Sequence, residues 1–176
     1  MCTICDLKIE FSIDHPMSLS VAVATRRAID AGLLPSQTDK YGALQLRRDA
    51  IGALKSVQQR VEHTLPRDEF LALPDFFMLA IESRTWGFFH PTAGGFDPNC
   101  RPDPPRISAE DIADRDPCIV TSDTALRRVL AGELRFSDAE RLGLIVVDAD
   151  DQRRDALRST WHTAFPDSGF SRFFCS

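Results

Sequence analysis

The chain has 176 residues, 43% of them apolar and 27% charged, with a net charge of −5. That length suits one domain, or one domain with a sizeable extension, and folding can bury roughly 70% of the surface of the unfolded chain, so a core needs no disulfide or metal staple. The acidic balance gives no general pull toward nucleic acid or anionic membrane, and no apolar run approaches the roughly 20 residues of a spanning helix. The N-terminus shows neither the basic nor the apolar region of a secretory signal, so a cytoplasmic location is expected. Only Lys8, Lys40 and Lys55 are lysines and every other basic residue is Arg, a bias that fits a high-GC bacterial genome. The five cysteines, Cys2, Cys5, Cys100, Cys118 and Cys175, are odd in number and read as reduced thiols rather than a disulfide framework.

Taken in chain order, residues 4–13 alternate, with Leu7, Ile9, Phe11 and Ile13 on one parity and Lys8, Glu10 and Ser12 on the other, which predicts a strand ended by His15-Pro16. Ser18 is placed to cap a helix carrying Val21, Ala24, Ala28 and Ile29, with Gly32 just past its end. A second helix is expected from about Tyr41 to about His63, on the stripe Leu46, Ala50, Leu54, Val57 and Val61. Residues 70–89 are rich in rings. They read as a strand pair, Phe76–Glu82 and Trp86–His90, turning at Ser83-Arg84-Thr85, with a short helix from Pro74-Asp75 as the alternative.

Residues 91–106 are a Pro/Gly stretch in which no regular element is expected, and a loop of that length inside a domain suggests a lid, a binding loop or a linker. Ser108-Ala-Glu-Asp then opens a short helix, and Cys118–Thr121 a strand. Ser122 or Asp123 caps a helix bearing Leu126, Val129 and Leu130; Ser137 or Asp138 caps another that ends at Gly143. Leu144–Val147 reads as a buried strand, and a last helix carries Leu157, Trp161 and Phe165. The aromatic tail from Gly169 is expected to dock on something.

Candidate chemistry is sparse. Cys2 and Cys5 form C-x-x-C, but they precede a strand rather than open a helix, and no second pair completes a zinc set; His15, His90, Cys100 and Cys118 are the remaining possible ligands. His15 and His90 each precede Pro and read as loop entries, while His63 sits where the helix dipole favours a cation. There is no G-x-S-x-G, no P-loop and no G-x-G-x-x-G, so no cofactor is predicted. Asp148, Asp150 and Asp151 read as a helix cap before they read as a cation site. The 12 Phe residues, crowded between residues 70 and 96 and at the C-terminus, suggest either plain core or a ring-lined cavity for an apolar molecule.

From Cys118 the sequence runs through a strand, an Asp-led helix, Gly132, Leu134, Ala139, Gly143, a second strand and Asp150, an order that resembles the C-terminal half of the sterol carrier protein type 2 family. The resemblance covers about a quarter of the chain and implies a sheet with helices over one face and an apolar cavity between them. In that family the cavity takes sterols, fatty acyl chains or other lipids, without catalysis. Ala149 departs from the pattern, which has Gly there, and residues 1–65 have no counterpart in it.

The expectation is an α+β fold, an antiparallel or mixed sheet covered by helices. Residues 1–65 form an N-terminal strand and two helices, and residues 66–176 a carrier-like region packed with them as one unit. The expected function is non-catalytic binding of a hydrophobic small molecule, a lipid or acyl chain, by Phe76, Phe88, Phe89, Val129, Leu134, Trp161 and Phe165, with no metal. The alternatives are a small enzyme or a metal or redox protein using Cys2, Cys5 and His90, and a homodimeric interaction module joined through the C-terminus.

Overall fold

Phe76-Phe77-Met78-Leu79-Ala80 has no polar residue at either parity, so a strand made of it must be covered on both faces. A computed structural model, which describes residues 14–36 and 42–166, shows this. β1 (Phe76–Ala80) lies in a four-stranded mixed sheet of order β2-β1-β5-β6, with β2 Thr85–Phe89, β5 Cys118–Thr121 and β6 Ile145–Asp148. β1 runs antiparallel to β2 and parallel to β5, and β5 runs antiparallel to β6. The class is α+β, as expected. The strand predicted over residues 4–13, Cys2 and Cys5, and the tail from Gly169 lie outside the described residues.

The register sorts the side chains into two layers. Phe76 pairs with Phe89 and Met78 with both Gly87 and Ile119, and Ile119 pairs in turn with Val147. These residues share one large buried cluster with Leu54, Val57 and Val61 of α2 (Ala43–Thr64), Leu126 and Val129 of α4 (Asp123–Leu130), Phe136 of α5 (Phe136–Arg141), and Leu157 and Trp161 of α6 (Asp151–Ala164). Gly87 lets α2 approach β2 closely: a Cβ there would lie 3.2 Å from Leu54 Cδ1. The opposite parity, Phe77, Leu79, Trp86, Cys118 and Val120, forms a smaller cluster with Val21 of α1 (Ser18–Asp30) and Ile107. Ala28 and Leu34 belong to the first cluster, so α1 and the turn after it link the two layers. Residues from before and after Pro66 thus share one core.

Several boundaries differ from expectation for local reasons. Ser18 does not cap α1. The chain enters through a turn in which Ser18 N donates to His15 O, so Ser18 is already helical and the cap position falls to Met17. α5 begins at the fully buried Phe136, ahead of Ser137 and Asp138. The β1–β2 turn spans residues 81–84, and Arg84 takes the left-handed conformation (φ 51°) that the turn demands. Residues 67–71 form a short helix, α3 (Arg67–Leu71), which the sequence reading lacks.

The Pro/Gly stretch does contain regular structure, contrary to the expectation of none. β3 (Pro91–Thr92) and β4 (Gly95–Phe96) make a two-residue hairpin. Thr92 Oγ1 donates to Gly95 O, and Phe96 N donates to Glu62 Oε1 on α2 at 2.7 Å. At Gly95 (φ 111°) a Cβ would sit 2.8 Å from that same Glu62 oxygen, so only Gly fits. The helix expected from Ser108 is a single 3-10 turn, Ile112–Asp114, capped by Asp111.

Candidate functional site

The seven residues expected to line one apolar cavity are divided by the fold. Phe76 and Phe89 stack at 4.6 Å between ring centres, Phe96 closes over both edge-on and Phe70 meets Phe96 edge-on in turn, so these rings fill their own space. Phe88 points to the opposite sheet face, 4.7 Å from the Phe77 ring. Trp161 is fully buried between Phe136 and Phe165, stacked on both, and its Nε1 has no partner among the described residues.

Val129, Leu134 and Phe165 do converge. With Arg60, Phe136 and Pro166 they line a cleft of about 170 Å³ where α2, α4, α5 and the end of α6 meet. Gly132 (φ 72°) ends α4 and turns the chain so that the half-buried Leu134 forms one wall. On the other wall Arg60 donates from Nε to Ala164 O at 3.1 Å, and its guanidinium carbon lies 5.1 Å from the Phe165 ring centre. Apolar side chains and the Phe165 ring thus line part of the cleft, while Arg60 and the chain around Gly132 make about half of its surface polar. A second hollow of about 270 Å³, between α3 and the β3–β4 hairpin, is lined by Glu62, Leu65, Arg67, Phe70 and Thr92 and is equally mixed in polarity.

Other expected groups are placed as follows. His90 Nδ1 is 2.8 Å from Asp75 Oδ1 at the start of β1. Cys118 is fully buried, and burial, with the negative charge of Asp148 second, pushes its thiol well above the usual range, so it is neither a nucleophile nor a ready ligand. Asp150 caps α6 by accepting from Arg153 N, and Asp151 pairs with Arg154, so these acids serve the helix start. Among the described residues no group of three or more His, Cys, Asp or Glu is placed to hold a metal ion.

His15 stands at the turn that leads into α1, as expected of a loop entry, and its ring is buried. Its Nδ1 accepts from Met17 N, which leaves the ring proton on Nε2, 3.2 Å from Asp148 Oδ2. That contact holds the Asp148 carboxyl below the usual carboxylate range and ties the start of α1 to β6.

One constellation was missed from the sequence. At the carboxyl ends of the parallel strands β1 and β5, Glu82 and Asp123 exchange partners across the two elements. Asp123 Oδ2 accepts from the backbone N–H groups of Glu82 and Ser83 at 3.0 and 3.1 Å. Glu82 accepts from Ser122 Oγ at 2.8 Å and from Asp123 N at 2.6 Å. Asp123 is 3% exposed and its Oδ1 has no partner among the described residues. Burial, reinforced by the facing Asp123 carboxylate, pushes the Glu82 carboxyl up to about 7. Asp123 was legible as a helix cap; nothing in the sequence brings Glu82 to it, because the two are joined only by the parallel pairing of β1 and β5.

Compared with family models, curated proteins and solved structures, the chain matches none. No helix among the described residues is long and apolar enough to cross a membrane.

Proposed function

We propose that the protein binds a hydrophobic small molecule, without catalysis, in the cleft between Val129, Leu134, Phe136 and Phe165. The observation that carries the reading is the convergence of Val129, Leu134 and Phe165 on one cleft with the Phe165 ring at its wall. The likeness of residues 118–150 to the sterol carrier pattern favours the same ligand class.

Size sharpens the ligand. Pockets for drug-sized molecules span about 300–1,000 Å³, whereas an apolar cavity of about 150 Å³ holds benzene. A cleft of about 170 Å³ suits one ring or a short acyl segment rather than a whole sterol. Arg60 at the rim adds a preference for a carboxylate on the exposed end of the ligand.

Calorimetric titration with phenylacetate, hexanoate and hexadecanoate tests the reading. The short ligands are expected to bind to the wild type and to weaken at least about tenfold in Leu134→Trp, which fills the cleft, a loss of about 1.4 kcal/mol. Equal binding by the wild type and Leu134→Trp, or none by either, overturns it.

A further inference from the structure

The Glu82–Asp123 pair lies away from the residues that line the cleft. Each of the two carboxyl groups accepts from the other residue's backbone N–H. Four protein donors serve them: the N–H groups of Glu82, Ser83 and Asp123, and the Ser122 hydroxyl. All four go to Glu82 Oε1, Glu82 Oε2 and Asp123 Oδ2, so the buried Asp123 Oδ1 is left without a protein donor among the described residues. A buried carboxylate oxygen with no donor calls for a proton, and the neighbouring carboxyl group is a source of one.

We propose that Glu82 and Asp123 share a single proton and form a pH-sensitive latch, which fastens the β1–β2 turn to the N-terminus of α4 and loosens as that proton is lost. The charge bearing on Glu82 from α4 is Asp123, and the turn's own cation, Arg84, lies 3.7 Å from Asp14 in the segment before α1. With both carboxyl groups ionised, two negative charges face each other at a half-buried site. The dipole of α4 and the backbone donors offset that repulsion only in part. Glu82 then gains by turning out to water, which frees Ser122 Oγ and Asp123 N at the helix start. The turn also holds Arg84 at φ 51°, a conformation that needs support from its surroundings.

Linkage fixes the direction and the window. The ordinary Glu value is 4.5 and the closed latch raises it to about 7. The closed form therefore binds the proton more tightly than the open form. Its advantage is complete below about pH 4.5, shrinks as pH rises, and is spent once pH passes about 7.

The test is hydrogen exchange of the full chain as a function of pH, combined with carboxyl-carbon NMR of Glu82. The Glu82 carbon is expected to titrate near neutrality. The amides of Glu82, Ser83 and Asp123 are expected to lose protection by about tenfold per pH unit between pH 5 and 7, beyond the intrinsic exchange chemistry, and to level off above. Glu82→Gln, which is neutral and can donate to Asp123 Oδ1, is expected to abolish that slope, and Asp123→Asn to return the Glu82 carbon toward the ordinary range. A Glu82 carbon that titrates in the ordinary range in the wild type overturns the latch. So does an unchanged slope in Glu82→Gln, or an unchanged Glu82 titration in Asp123→Asn. The wild-type titration decides alone if a variant fails to fold.

Discussion

On one face of the sheet Phe76, Met78, Phe89 and Ile119 share their cluster with residues of all six α-helices; on the other, Phe77, Leu79, Trp86 and Val120 are covered by Val21 of α1 and by Ile107 from an irregular segment. The first face is a stack of large side chains in regular elements, with Phe136, Trp161 and Phe165 in one aromatic column. The second face is smaller and carries polar chemistry at its margin, where His15 meets Asp148 on the edge strand β6. Burial of apolar area stabilises both, but the helical face holds far more of it. Among the described residues the smaller face is covered by α1 and the segment of Ile107, with the His15–Asp148 contact at its edge.

The comparison can be broken from either side. The largest expected effect lies on the helical face. Trp161→Ala and Phe76→Ala each remove a fully buried ring and are expected to cost about 3–5 kcal/mol in denaturant unfolding. On the other face Val120→Ala removes two buried methyl groups and is expected to cost about 2 kcal/mol. If Val120→Ala proved as costly as Phe76→Ala, the two faces would be equal partners.

Gly95→Ala tests the hairpin that closes the aromatic cluster. It meets both a positive φ and the Glu62 oxygen, and a loss of about 1 kcal/mol or more is expected in the same assay.

The smallest effect separates the faces by pH. Asp148 is held below its ordinary value of 3.8. Its contribution is therefore complete above about pH 4 and is lost as pH falls through the depressed folded value. In His15→Phe, which keeps the ring and removes the partner, stability between pH 4 and 2 should fall less steeply than in the wild type. An unchanged acid slope would remove His15 as the cause.

What the sequence reveals follows the same division. α2 could be read from Ala50, Leu54, Val57 and Val61 because a helix that buries one face repeats every 3.6 residues. α4 and α6 were legible from the caps Ser122 and Asp150, whose side chains accept from backbone amides in the first turn. β1 was legible as a short apolar run but not as a central strand, because burial on both faces erases the period of two. The role of Ile107 was hidden, since no period governs a loop. The candidate site divides likewise. Val129 and Leu134 flank Gly132 within a few residues, so local turn chemistry brings them together. Phe76, Phe88 and Phe89 share a stretch of sequence but not a cavity, because adjacent strand residues point to opposite faces and paired rings fill the space they enclose. Glu82 and Asp123 meet only through strand order, which no local pattern encodes.

The central claim is that the cleft of Val129, Leu134 and Phe165, and not the stacked rings against the sheet, receives a ligand. Methyl and aromatic NMR of the full chain during titration with phenylacetate tests it most directly. The account predicts saturable shifts at Val129, Leu134 and Phe165 with Phe76, Phe88 and Phe89 unmoved. Shifts centred on Phe76 and Phe89, or no shift at Val129 and Leu134 up to millimolar ligand, would contradict it.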